Sequence, residues 1–321
     1  MKDQILTALE QARGTFVSGH ALATALSVSR TTVCNAVHAL QDAGYAIEAV
    51  TNRGYRLAPG NGPLSRQSIE KYLLPGLSIE VIPSAPSTNS LLKQRAETAA
   101  PEGLVLIAEE QTAGRGRRDH TFFSPSGTGL YMSLLLRPTL PASDALCITT
   151  AAAVAVAEAI EEVSGRDAKI KWVNDIFCDG KKVCGILTEA SIDLEGGGLH
   201  YAILGIGVNV FPAAFPPELN ATSVFTTPSD SFDLRSRLAA SILNHFMREY
   251  PNLSQKNYFE AYRSRSLLLG KPITISGATT QQDATALDLD SDFRLKVQYP
   301  DGSISYLSSG EVSVKAQSCI V

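Results

Sequence analysis

The chain has 321 residues, 44% of them hydrophobic, and a net charge of −4. That length allows two or three domains with real cores and excludes a disordered protein. The acidic balance excludes a generally basic nucleic-acid binder, so any such contact has to be local.

Five cysteines (Cys34, Cys147, Cys178, Cys184, Cys319) occur in odd number and without a Cys-x-x-Cys pair. This pattern predicts reduced thiols in a cytoplasmic protein, with neither a disulfide framework nor a metal site. The first residues carry charge with no apolar core behind them, so no secretion signal is expected. The nearly uncharged stretch 145–157 is too short to span a bilayer; it is expected to be a buried helix, and no membrane partner is expected.

Residues 1–58 read as three helices and a hairpin. Ile5, Leu6 and Leu9 share a helical face, Ser18-Gly19 opens a second helix with Leu22 and Leu26, and a third runs over 30–42 with Val33, Val37 and Leu40 inward. This leaves Arg30, Thr31, Thr32, Asn35 and His38 outward, groups that reach base edges in a major groove. Strands over 45–50 and 54–57, with Arg53 at their tip, complete the pattern of a winged helix-turn-helix, although any three-helix packing unit shows the same periodicity. The local charge of about +1 is weak for a phosphate binder.

Pro59-Gly-Asn-Gly-Pro63 reads as a linker. Beyond it, helices are expected over 65–74, 90–97 (capped within Ser87-Thr-Asn89) and 144–163, and strands over 79–82, 104–108, 130–136, 169–172, 176–178, 183–189 and 201–210. They suggest a largely antiparallel or mixed sheet backed by helices. Residues 211–228 are proline-rich and read as a surface connection, followed by helices over 233–250 and 255–265. From 271 the pattern becomes short strands over 273–276, 285–289, 293–299, 304–307 and 311–314, a unit of SH3-like size. The expected divisions are 1–62, 63–269 and 270–321.

Between two of the central strands lies Gln111-Thr-Ala-Gly-Arg-Gly-Arg-Arg-Asp-His-Thr-Phe-Phe-Ser-Pro125. Gly114 and Gly116 allow close backbone approach to a ligand, and Arg115, Arg117 and Arg118 offer forked donors that match phosphate or carboxylate oxygens. An exposed basic loop would look the same; without a ligand its charges repel, and mobility is expected. No aromatic residue is interleaved with the arginines, and the third glycine of a dinucleotide fingerprint is missing. By propensity alone Asn174-Asp175 and Asp179-Gly180 are turn formers, Lys182 an edge lysine and Trp172 core.

Taken together, Gly114-Arg-Gly-Arg-Arg118 with Ser124-Pro125, Lys171-Trp-Val-Asn-Asp175, Lys182-Val-Cys-Gly-Ile-Leu-Thr-Glu189 and Gly205-Ile-Gly-Val-Asn209 resemble the motifs of the biotin protein ligases, in order and spacing. With the N-terminal unit, the chain resembles the bifunctional ligases that also repress a biotin operon. The resemblance implies an α+β multidomain protein: a winged helix-turn-helix, a central mixed-sheet biotin/lipoate ligase domain of class II synthetase type, and a C-terminal SH3-like β-barrel. It implies biotin, ATP and Mg²⁺, a biotinyl-5'-AMP intermediate, transfer to a lysine of the biotin carboxyl carrier protein of acetyl-CoA carboxylase, operator DNA, and a homodimer when the adenylate is bound.

By the same resemblance Lys182 and Arg117 stabilise the carboxylate and the α-phosphate, Arg115 closes the loop over the ligand, and Asp175 orients or deprotonates the acceptor lysine. Ser87, Thr88 and Gln111 meet the ureido group, braced by Asn89, and Phe122 stacks on adenine. Gly114, Gly116, Arg118, Trp172, Asn174, Gly185, Gly205 and Asn209 complete the binding set. The chain departs from the family at Asp119, where a glycine is usual, at His120, where a basic residue is common, and at Val173, where proline is usual. Asp119 predicts weaker adenylate retention, to be reversed by Asp119→Gly. The rival readings implied are a biotin sensor without ligase activity, a ligase whose winged helix no longer binds DNA, and a lipoate ligase-like acyltransferase.

Overall fold

The computed structural model describes residues 1–58, 62–117, 120–192, 197–227, 233–276, 281–308 and 310–314. Arg118, Asp119 and Cys319, and part of the expected linker, lie outside the described residues.

At the N-terminus α1 (Lys2–Gln11), α2 (Gly19–Ala25) and α3 (Arg30–Asp42) are followed by the hairpin of β1 (Ile47–Val50) and β2 (Gly54–Leu57). The side chains of Ser18 and Ser29 accept from Ala21 N and Thr32 N and so set the starts of α2 and α3. Ile5, Leu6, Leu9, Leu22, Val33, Val37 and Leu40 close a core separate from the rest of the protein. This is the winged helix-turn-helix arrangement.

The central unit carries α4 (Arg66–Glu70), β3 (Ser78–Ala85), α5 (Thr88–Glu97), β4 (Leu104–Gln111), β5 (Gly129–Leu136), α6 (Leu146–Ser164), β6 (Lys169–Lys171), β7 (Asp175–Cys178), β8 (Lys181–Ile192), β9 (Leu199–Asn209), α7 (Leu234–Glu249) and α8 (Phe259–Ser264). Its strands form a mixed sheet in the order β3-β4-β5-β9-β8-β7-β6, with only β3 and β4 parallel. One face packs on α6 and α7 in the main core. On the other face α5 covers Leu106, Leu135 and Ile203 and leaves the neighbouring part of the sheet open.

The helix expected over 144–163 is present as α6, and with its preceding turn reaches 23 residues, long and apolar enough to cross a membrane by composition. It lies instead in the core, with Ala151, Ala152, Ala155 and Val156 at 2% exposure or less. The short side chains let it sit close against the sheet and α7. Two expected helices are shorter than their apolar patterns. The first, α4, ends at Glu70, and α8 starts only at Phe259, because Lys256 adopts φ +53° and interrupts the run.

The C-terminal strands β10 (Pro272–Ser276), β11 (Gln281–Leu289), β12 (Leu295–Gln298), β13 (Ile304–Leu307) and β14 (Glu311–Val314) form an antiparallel sheet in the order β13-β12-β11-β10-β14. Among the described residues its two edges, β13 and β14, do not pair with each other. Its turn residue Phe293 stacks on Tyr258 and meets Phe259 and Tyr262 edge-on, which joins this sheet to the central core.

Candidate active site

Strand register places the chemistry in rows across the open face of the central sheet. Lys171 pairs with Asp175, Asp175 with Gly185, Gly185 with Gly207, and Gly207 with Tyr131. Directly opposed residues on paired strands point to the same face, so an ionic end and an aromatic end are joined by a glycine floor. The next row runs Leu187, Gly205, Ser133. A Cβ on Gly207 would lie 2.6 Å from the Phe122 ring, and one on Gly205 would lie 2.2 Å from Asn89 Oδ1. These glycines are what let Phe122 and Asn89 lie against the sheet.

Above this floor is a cavity of about 420 Å³ that brings together Ser87, Thr88, Asn89, Gln111, Arg115, Gly116, Arg117, Phe122, Trp172, Asn174, Asp175, Lys182, Gly185 and Gly205. Fourteen of the residues expected from the sequence therefore meet in one place, counted from that same set. Asn209 does not join them. Its Nδ2 donates to Thr222 O at 3.1 Å and its own carbonyl accepts from Val224 N, so it braces the connection after β9. In register with Gly129, it stands one row beyond Gly207 and Tyr131. Gly114 is a backbone crossing rather than a lining residue, since a Cβ there would stand 2.4 Å from Phe122 O.

Lys182 stands beside a register shift between β7 and β8, where it pairs with Phe177 while Cys184 pairs with Ile176. The bulge puts Lys182 on the face of Asp175, with Nζ 2.7 Å from Oδ1. Cys184 next to it is fully enclosed, and burial pushes its thiol far above the usual range despite the nearby Lys182. Cys178 is raised to about 11 by burial. Burial thus disfavours the thiolate at both cysteines.

The described flanks of the arginine loop fold back on each other: Arg115 bridges Thr121, Phe122 N donates to Gly114 O at 2.9 Å, and Gly116 N donates to His120 O at 2.6 Å. Arg117 donates to Asn174 Oδ1 at 3.0 Å, and Asn174 is held in turn by Ile186 O at 2.8 Å. Arg115 Nη2 lies 3.1 Å from Glu189 Oε1. Loop and sheet are thus tied through polar side chains.

The groups at the start of α5 and the end of β4 are neutral. Gln111 Oε1 accepts from Thr88 N at 2.9 Å and Thr88 Oγ1 at 3.1 Å, and its Nε2 donates to Ser124 Oγ at 3.1 Å. Ser87 caps α5, its Oγ accepting from Ser90 N at 3.4 Å. Trp172 is buried and its Nε1 donates to Phe293 O at 2.8 Å, so it packs as core while one side borders the cavity. Sequence reasoning missed Ser133, Glu189 and Gly207, and also Leu219, Ser276, Val312 and Ser313, which close the cavity from later parts of the chain.

On the N-terminal unit Arg30, Thr31, Asn35, His38 and Arg53 are exposed, whereas Thr32 is half-buried with its hydroxyl 2.8 Å from the capping Ser29 Oγ. The guanidinium of Arg53 lies 4.2 Å from the centre of the Phe16 ring. No group of three or more potential metal ligands occurs among the described residues.

Residues 81–209 match the Biotin/lipoate A/B protein ligase family, and residues 2–56 match an HTH domain. The chain is 38% identical over 261 residues to the bifunctional ligase/repressor BirA of Bacillus subtilis (strain 168), covering 78% of each protein. It is 26% identical over 311 residues to the bifunctional ligase/repressor BirA of Escherichia coli (strain K12), covering 95% of each. The solved structure of the biotin protein ligase from Aquifex aeolicus in complex with biotin and ATP matches with a TM-score of 0.62 at 26% identity, covering 74% of this chain and 98% of that one. At 38% identity across 78% of both proteins, the chain belongs to the family of the BirA bifunctional ligase/repressors.

Proposed function

We propose that the cavity is where this chain, a bifunctional biotin ligase and transcriptional repressor, makes biotinyl-5'-AMP and passes the biotinyl group to a lysine of the biotin carboxyl carrier protein. The observation that carries this reading is the mixed lining of the cavity: the cations Lys182 and Arg117 beside Asp175 and Asn174, and the neutral hydrogen-bonding pair Thr88 and Gln111 at the start of α5 and the end of β4. Biotin has the complementary groups, a neutral ureido ring and an anionic carboxylate.

In the first step a biotin carboxylate oxygen attacks the α-phosphorus of ATP, and the bond to pyrophosphate breaks. Lys182 leaves Asp175 to face the carboxylate and the charge growing on the α-phosphate, and Arg117 assists from its seat on Asn174; fixed cations at a developing oxyanion lower the barrier most. Arg115 closes over the mixed anhydride and keeps water out. In the second step the acceptor amine attacks the biotinyl carbonyl carbon, AMP leaves with the bonding pair, and Asp175, released from Lys182, takes the amine proton.

Asp175 in the cavity lining is engaged with Lys182, and nearby Glu189 with Arg115, so the described residues offer no preformed shell for Mg²⁺. The ion would arrive on the triphosphate and supply charge neutralisation there. Arg30, Thr31, Asn35, His38 and Arg53 are read as the operator-facing set, with Thr32 holding the helix start. The C-terminal sheet is read as an SH3-like barrel on the strength of its short antiparallel strands. The division 1–62, 63–269 and 270–321 is supported at its first boundary by the separate N-terminal core. Dimerisation on adenylate binding and a cytoplasmic location complete the proposal.

Exchange of labelled pyrophosphate into ATP tests the first step by itself. The exchange should require biotin and disappear in Lys182→Ala; exchange that proceeds equally without biotin would sink the assignment.

A further inference from the structure

Glu189 takes no part in the steps above, yet its carboxylate stands between two residues that line the cavity, Arg115 and Asn89. Oε1 faces Arg115 Nη2 at 3.1 Å, and Oε2 accepts from Asn89 Nδ2 at 2.9 Å. Asn89 is itself fixed. It is buried, its Nδ2 also reaches Leu187 O at 3.2 Å, and its Oδ1 lies 2.6 Å from Ser133 Oγ. Ser133 Oγ is 2.7 Å from Thr88 Oγ1, which donates to Gln111 Oε1 at 3.1 Å. A continuous chain of polar contacts therefore runs from Gln111 to Arg115.

The two ends of the Glu189–Arg115 contact differ in stiffness. The carboxylate is braced from beneath by a buried amide, whereas the Arg115 side chain is 46% exposed and its contact with Ser90 Oγ is long, at 3.5 Å. A guanidinium fork pairs as well with phosphate oxygens as with a carboxylate. Glu189 and an incoming phosphate therefore compete for the same donors, and the carboxylate cannot follow the arginine away from Asn89.

We propose that Glu189 is a positioning residue for Arg115: its carboxylate, seated on Asn89, parks the guanidinium and gives it up when a phosphate group of the nucleotide enters. This deepens the ligase reading and rests on it. The parked pair keeps the loop arginine beside the cavity, and the exchange makes its closure depend on a bound anion.

The test uses the full chain and inorganic pyrophosphate as the probe, titrated calorimetrically into the wild type, Glu189→Gln, Arg115→Gln and the double variant, with biotin titrated into each. An ion pair this exposed is worth about a two- to fivefold change in affinity. Glu189→Gln should bind pyrophosphate about two- to fivefold more tightly at low salt, with the gain shrinking as salt rises, and should leave biotin affinity unchanged. In the Arg115→Gln background the second substitution should change nothing. Equal affinity in wild type and Glu189→Gln overturns the proposal. So does a gain that persists without Arg115, which would mean direct repulsion of phosphate, and so does a loss of biotin affinity alone, which would mean a brace for Asn89 only. If the wild type binds neither biotin nor pyrophosphate, the ligase reading of the cavity falls and takes this proposal with it; if it binds both, only the role of Glu189 is at stake.

Discussion

Gly207 and Phe122 show how much a single side chain can alter here. A methyl group at Gly207 would sit 2.6 Å from the Phe122 ring, and that ring cannot keep its place. If Phe122 supports adenine, Gly207→Ala should raise the KM for ATP about three- to tenfold, the worth of one displaced aromatic contact. Biotin affinity, measured by calorimetry, should stay within about twofold. An unchanged KM would remove Phe122 from the nucleotide side. Tyr131, at the end of the same row, is buried, donates to Pro125 O at 2.9 Å, and is raised from its ordinary value of 10.0 to about 12 by burial. Its folded form holds the proton more tightly than its unfolded form, so its contribution is complete below pH 10 and is lost as pH rises toward 12. The unfolding free energy from urea titrations should fall across that window, and Tyr131→Phe should lessen the fall by about 2–3 kcal/mol; a curve unchanged by the substitution would contradict the shift. Arg115, Arg117, Lys182, Gly116, Gly185 and Gly205 were legible as cavity residues because they fall in motifs that resemble a known family; Gly207 was not singled out. Glu189 and Ser133 were not legible either. A carboxylate or hydroxyl in an alternating strand looks solvent-facing until the register shows what stands across from it.

At the level of elements, the segment 171–175 depends on support from outside the sheet. Trp172 Nε1 donates to Phe293 O, Tyr262 Oη donates to Val173 O at 3.0 Å, and Phe293 fills the space among Tyr258, Phe259 and Tyr262. Phe293→Ala should destabilise the protein by about 3–5 kcal/mol, the usual effect of emptying a buried aromatic site. It should also lower kcat, because Asn174 and Asp175 are carried by the segment it supports. Denaturant unfolding together with pyrophosphate exchange would check both; a loss of stability with exchange intact would show that this support does not reach the site. Helices and strands were predictable where periodicity ran unbroken, as in α3 and α6. The β7–β8 bulge that turns Lys182 toward Asp175 left no trace, since an inserted residue changes pairing without changing composition.

For the molecule as a whole, the winged unit is not simply tethered. Glu10 and Arg13 on its first helix and turn meet Lys71 and Asp233 of the central unit in a charge cluster, with Arg13 Nη2 2.9 Å from Asp233 Oδ1, Lys71 Nζ 2.8 Å from Glu10 Oε2, and Lys71 bonded to Asp233 as well. The Glu10 and Asp233 side chains are only 2% and 3% exposed. Burial alone would lower the Lys71 pKa, but hydrogen bonds to Asp233 and Glu10 raise it overall, so the lysine stays charged. Lys71→Met should cost about 2–3 kcal/mol, somewhat less than breaking an isolated buried pair because Arg13 remains. It should make the winged unit unfold ahead of the rest in a denaturant series followed by two probes; a single coincident transition at the original midpoint would mean that the cluster does not hold the units together. Pairings between distant units such as this one cannot be read from a sequence, because each partner taken alone is an ordinary surface charge.

The central claim is that one cavity joins biotin to a protein lysine through Lys182. It is tested most directly by incubating the purified chain with biotin, ATP, Mg²⁺ and a biotin carboxyl carrier domain and weighing both intact proteins. The account predicts that the carrier gains the mass of one biotinyl group, and that Lys182→Ala abolishes the gain while leaving the fold intact. A carrier of unchanged mass with the wild-type chain, or an equal gain with Lys182→Ala, would contradict it.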